Sequence, residues 1–151
     1  MPEVESALPF TVDGFQQLLD RRGDPDWVVE ARREAWAAFE AMEWPSRSSE
    51  EWMRTDLRLF HLDRFHLVVN EEPPETPLSV LNQGVDVGGR AVSWNGATHS
   101  EWVSEDLAAK GVVFCSLNRA VQEHSELVRP YLMNRAFESR YDRFAALHTA
   151  W

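Results

Sequence analysis

The side chains best suited to chemistry in this 151-residue chain are few and widely spaced. Its single cysteine, Cys115, ends the apolar run Val112-Val113-Phe114 and precedes Ser116, a residue that can cap a helix. A helix start lowers a thiol pKa, so a reactive or ligating thiolate is conceivable there. The ordinary role of a lone cysteine in such a place is that of a small core hydrophobe. His61 and His66 stand five apart, off a common face in a helix and on opposite faces in a strand, which makes them a poor ligand pair. His124 and His148 fall on apolar helical faces, where histidine more often packs and hydrogen-bonds than ligates. Carboxylates such as Glu50, Glu51, Glu71 and Glu72 are plentiful, but none faces a partner across a recognisable pocket. They read as caps and solvated surface. No catalytic, cofactor-binding or metal-ligating set is expected from these residues.

Composition narrows the classes further. The chain carries 25 acidic against 15 basic residues, a net charge of −10, which argues against a phosphate backbone or an anionic membrane as partner. There is no GxxxxGK[ST] loop and no GxGxxG turn, and the run from Gly84 to Gly89 (GVDVGG) fits neither. One cysteine excludes an internal disulfide framework and a multi-cysteine zinc site. The opening MPEVESALPF lacks a basic stretch before an apolar one, and no apolar run approaches the ~18 residues of a membrane span. These features lead us to expect a cytoplasmic protein. Seven tryptophans could build a ligand cage, but Trp27, Trp36 and Trp44 better suit helix packing.

The elements follow from periodicity and punctuation. Thr11 caps a helix over 12–22 bearing Val12, Phe15, Leu18 and Leu19, which Gly23 closes. Asp24-Pro25 starts a helix over 25–43 with Val28, Ala31, Ala35, Phe39 and Met42 on its buried stripe. Ser48 and Glu51 form a capping box for a short helix at 49–54. Strands are expected at 64–69, 78–81, 91–94, 98–103 and, buried, 112–114, with an Asn95-Gly96 hairpin turn. The proline-rich Asn70–Pro77 is a loop, and Ser104 caps a brief helix ending at Gly111. Ser116 caps a helix at 117–124, a single turn follows before Pro130, and Ser139 opens the last helix at 139–150. On that helix Tyr141, Phe144, Ala145, His148 and Trp151 share a face. The fold class is α+β: a helical region over 1–60, short antiparallel or mixed strands over 61–115, and a helical segment over 116–151.

Two stretches carry a family resemblance. The first runs from Arg33-Glu-Ala-Trp-Ala-Ala-Phe39 through Trp44-Pro-Ser-Arg47 to Glu50-Glu-Trp-Met-Arg-Thr-Asp-Leu57. The second runs from Leu107-Ala-Ala-Lys-Gly-Val-Val-Phe114 through Glu123-His-Ser-Glu-Leu-Val128 to Phe144-Ala-Ala-Leu-His-Thr-Ala-Trp151. Together they resemble the SufB/SufD family of iron–sulfur cluster assembly proteins, most closely the amino-terminal portion of SufD. Trp44 replaces the Leu usual before Pro45, and Met53-Arg54 replaces the common Arg-Tyr. The resemblance implies a scaffold subunit working with SufB-like and SufC-like partners and holding no cofactor in this region. In that family a β-helix follows the Trp, and the cluster-related cysteines and histidines lie in it and beyond. The alternatives are a stand-alone α+β module that holds a peptide or small ligand on its Trp-rich helices, and a thiol- or metal-dependent enzyme around Cys115.

With the β-helix absent, the strand at 112–114 and the face of Tyr141, Phe144, His148 and Trp151 are expected to be uncovered. Exposed apolar patches and unpaired edges recruit partners, so the chain should self-associate, as a C2 pair. Light scattering over a dilution series should show mass rising with concentration, and Trp151→Glu should abolish the rise. A monomer at every concentration, indifferent to that charge, is the contrary result.

Overall fold

The computed structural model describes residues 7–68, 84–133 and 138–151. The architecture is α+β, as the periodicity predicts. Strand β1 (Ala7–Pro9) leads into helices α1 (Val12–Arg22) and α2 (Asp26–Ala41), then single 3-10 turns at Glu50–Trp52, Leu57–Leu59 and Leu62–Arg64, and strand β2 (His66–Val68). A hairpin of β3 (Gly89–Trp94) and β4 (Ala97–Val103) follows, then α3 (Glu105–Ala109), α4 (Leu117–Glu123), α5 (Ser125–Val128) and α6 (Arg143–Ala150). Both sheets are two-stranded and antiparallel, pairing Leu8 with Leu67 in one and Arg90 with Trp102 in the other.

Local chemistry sets α1 as expected. The Thr11 hydroxyl accepts from the Gly14 amide at 3.2 Å, and Gly23 closes the helix at φ +60°. Gly14 itself is required by a close approach: a Cβ there would stand 2.0 Å from the Pro9 carbonyl oxygen, where the chain turns out of β1. The hairpin turn uses Asn95 at φ 46° and Gly96 at φ 82°, the left-handed pair that suits strand twist. Opposite Val92 and Ser93 the partners are Ser100 and Thr98, so β4 carries one extra residue, His99, as a bulge.

The core lies between α1, α2 and α6. Phe15, Leu18, Leu19, Trp36 and Phe39 pack with Leu8 from β1 and with Ala146, Leu147 and Ala150. Alanine at 35, 146 and 150 leaves no bulky side chain to hold α2 and α6 apart. Trp151 is half-buried, its ring 4.7 Å from Phe10 and 6.1 Å from both Phe15 and Trp36. The terminal indole is therefore covered from within the chain, whereas Tyr141 and His148 are exposed. The expected shared face divides because α6 turns Ala146 and Ala150, not His148, toward α2.

Several expected starts and strands are corrected. The Asp24 carboxylate does not cap α2: Pro25 occupies the cap position, and Asp24 accepts from Arg22 Nε at 2.9 Å and Arg32 Nε at 3.0 Å. The capping box of Ser48 and Glu51 does not form, since Ser46 engages the Ser48 hydroxyl at 2.5 Å and only one 3-10 turn develops. The last helix begins at Arg143, not Ser139. Asp142 supplies the cap instead, accepting from the Ala145 amide at 2.8 Å, and the residues before it form a turn. Of the strand expected at 64–69, residues 66–68 pair with the three residues of β1, Arg64 and Phe65 end the preceding 3-10 turn, and residue 69 lies outside the described residues. Val112–Phe114 is not a strand and is 42–47% exposed, because it is the extended exit from α3 toward α4. The strand expected at 78–81 lies outside the described residues.

Phe39 is 5% exposed and touches the Trp36 and Trp44 rings, so Phe39→Ala should destabilise by about 3–5 kcal/mol in urea melts. A loss under about 1 kcal/mol would show that the α2 stripe does not carry the core. Arg32→Met leaves the Asp24 carboxylate buried with one donor fewer. It should also cost about 3–5 kcal/mol, and an unchanged midpoint would refute this account of the ion group.

Candidate functional site

The two stretches that carry the family resemblance meet in space. Trp44, on the exit from α2, lies 5.0 Å from Phe144 of α6, and Trp52 stacks on the same Phe144 ring at 5.1 Å and 17°. Phe60 closes the group at 5.5 Å from Trp44 and 5.2 Å from Phe144. The Tyr141 hydroxyl donates to Glu51 Oε1 at 3.1 Å. That bond, and then the nearby negative charge, hold the phenol above its ordinary pKa. Arg143 packs against this block, its guanidinium carbon 4.5 Å from the ring centres of both Phe39 and Trp44. A cavity of about 450 Å³ opens beside it, lined by Trp52, Glu51, Ser49, Tyr141 and Arg143 among others.

Cys115 occupies a separate corner. It is half-buried beside a cavity of about 320 Å³ lined also by Val113, Phe114, Arg119 and His124. Burial pushes its thiol above the ordinary 9.0, and the Glu101 carboxylate adds to the rise, against Arg119. At the helix start the Ser116 amide is not free for the thiol. Glu101 instead takes the Ser116 amide and lies 3.4 Å from Arg119, which also pairs with Glu123 at 2.8 Å. His124 shares the cavity at the end of α4; His61 and His66 are exposed, and His148 lies on α6. Among the described residues no three of His, Cys, Asp and Glu gather as a metal site.

Trp27, Trp36 and Trp44 are spent on packing. Trp36 stacks on Phe15 at 4.9 Å, Trp44 is ringed by Phe39, Phe60 and Phe144, and Trp27 donates to Ser125 Oγ at 2.8 Å, tying α2 to α5. Sequence reasoning missed Arg32 and Arg143. Arg32 had a legible signal, since it falls four residues after Val28 and seven before Phe39, on the apolar stripe itself. Arg143 had none, because its rings come from α2 and the residues after it.

This arrangement is an aromatic α+β region without an assembled reactive centre among the described residues. A family model for the SufBD protein N-terminal region matches residues 14–151, and the chain belongs to that family. Two relatives from Arabidopsis thaliana are similar to it. One, the iron–sulfur cluster assembly SufBD family protein ABCI9, is 26% identical over 146 residues, covering 84% of this chain and 31% of that protein. The other, the chloroplastic iron–sulfur cluster assembly SufBD family protein ABCI8, is 28% identical over 172 residues, covering 97% of this chain and 30% of that protein. The chain thus spans about a third of the length of these curated relatives. No solved structure matches it.

If Cys115 is a buried thiol under a carboxylate, its alkylation by iodoacetamide should be slow at neutral pH. The rate should rise only through an apparent pKa above 9.0. Glu101→Gln removes the negative neighbour and should move the profile to lower pH. A wild-type midpoint near 7 would mean an activated thiolate and overturn this reading.

Proposed function

We propose that this chain is the amino-terminal portion of a SufD-like scaffold subunit of iron–sulfur cluster assembly, with a structural and interaction role and no catalysis of its own. The observation that carries the reading is where the resemblance converges. The stretches around Trp44–Trp52 and Tyr141–Trp151 build one packed block, through Phe144 and through Trp36 with Trp151, and not a reactive group. Residues that define a packed block define a shape to be assembled with others. The thiol at Cys115, pushed upward by burial and by Glu101, is poorly suited to hold iron or accept sulfur.

On this reading the partners are SufB-like and SufC-like subunits. The cluster, as cargo, is handled by residues other than those described. We place the protein in the cytoplasm; no helix among the described residues is long and apolar enough to cross a membrane.

Coexpression of the full reading frame containing this chain with SufB-like and SufC-like subunits should yield a complex on affinity capture. Cys115→Ser in that frame should leave cluster assembly unchanged. The 151-residue chain alone should bind neither iron nor zinc stoichiometrically and should not hydrolyse ATP. Loss of assembly in Cys115→Ser, or a fully occupied metal bound through Cys115, would replace the scaffold reading with a thiol-centred one.

A further inference from the structure

Burial is divided unevenly along the chain. Among the described residues every buried side chain lies in 8–39 or 121–150, and none lies from 40 to 120. Residues 88–114 nevertheless hold together through contacts close in sequence. The Ser104 amide donates to the Gly88 carbonyl at 2.7 Å across the base of the hairpin, and the Val112 amide to the Leu107 carbonyl at 3.0 Å. Two glycines admit side chains there. A Cβ on Gly88 would stand 2.4 Å from Leu107 Cδ1, and one on Gly89 would stand 3.2 Å from the Phe114 ring. A unit held by its own local contacts can leave the helical core without breaking them.

The tie from this unit to α4 is charged. Glu101 of β4 accepts from the Ser116 amide at the start of α4 and pairs with Arg119, and its side chain is 14% exposed. Among the described residues this is the ion pair that joins the hairpin to a helix. The hairpin tip, 95–97, forms one wall of a cavity of about 530 Å³, facing Leu18, Arg22, Leu67 and Asn118. A two-stranded hairpin has little stability of its own, so its seat over that cavity depends on such a tie.

We propose that residues 88–114 form a lid that opens as one unit over this cavity, and that Glu101 is the latch that holds it closed on α4. The device goes beyond the scaffold reading and does not rest on it.

The first test is hydrogen exchange of the 151-residue chain, followed by mass spectrometry. Amides of β3, β4 and α3 should exchange together, and faster than those of α2 and α6. Glu101→Ala should speed exchange in 88–114 by about tenfold or more, as for loss of hydrogen bonds to a charged group, and leave α2 and α6 unchanged. Glu101→Gln keeps one acceptor for the Ser116 amide and should fall between. The second test places a thiol under the lid, as Leu18→Cys in a Cys115→Ser background. Leu18 is 2% exposed, so its replacement should react with dithionitrobenzoate only through opening, and Glu101→Ala should speed that reaction about as much. Ala146→Cys in the helical core should keep its rate. Exchange of 88–114 in step with α2 and α6 would overturn the lid, and so would a Leu18→Cys rate indifferent to Glu101→Ala. Unchanged hairpin exchange in Glu101→Ala would overturn the latch. The wild-type exchange pattern is read without any substitution, so a variant that misfolds leaves that test standing.

Discussion

The interaction on which the described core depends is the ion group of Arg22, Asp24 and Arg32. The Asp24 side chain is 2% exposed and the Arg32 side chain 6%, and Arg32 reaches across to donate from Nη1 to the Ala150 carbonyl at 3.0 Å. One guanidinium thus joins the turn between α1 and α2 to the last turn of α6, where helix carbonyls lack intrahelical donors and a cation is favoured. Burial, then the charge of Arg22, depress the Arg32 pKa, and Asp24 opposes both. Such a group adds little net stability over a well-packed apolar replacement. It does fix register: α6 seats against α2 only where Ala150 meets Arg32.

Register matters because the packing around it is aromatic and cannot slide. Trp36 sits between Phe15, Phe39 and Trp151, and Trp44 between Phe39, Phe60 and Phe144, so a chain of ring contacts runs from α1 to the 3-10 turns after α2. Displacing α6 by one residue would remove both Phe144 and Trp151 from their places. Three donors inside this block, Trp36 Nε1, Trp151 Nε1 and Arg143 Nε, lack acceptors. All three lie on or beside the packed rings, which offer no lone pair in the ring plane.

The strand-bearing part is held more lightly. A two-stranded hairpin has no independent stability to speak of, and β3–β4 keeps Trp94 and Trp102 38% and 47% exposed. Its attachment runs through Phe114 near Gly89 and the Glu101 contacts with Ser116 and Arg119, and α4 is in turn tied to α1 by the Arg22–Asn118 hydrogen bond. The SufBD relationship therefore rests here on two kinds of material: a tightly packed helical core, and a hairpin with extended residues whose apolar side chains remain partly in solvent.

What the sequence determined by itself was local. Thr11 and Gly23 bounded α1, Asn95-Gly96 made the hairpin, and Ser116 capped α4, since each acts on its own backbone within three residues. The family was legible too, because Trp44-Pro-Ser-Arg and Phe144 to Trp151 are contiguous words. Tertiary structure decided everything that needed a distant partner. Asp24 left its cap position for Arg32, Glu51 left a capping box for Tyr141, and Trp151, expected in solvent, found Phe10 and Trp36. Val112–Phe114 is not a strand: the Val112 amide turns back to the Leu107 carbonyl at the end of α3. The cavity at Arg143 lay beyond sequence reasoning for the same reason: its walls come from segments about a hundred residues apart, and neither contains a motif that announces the other.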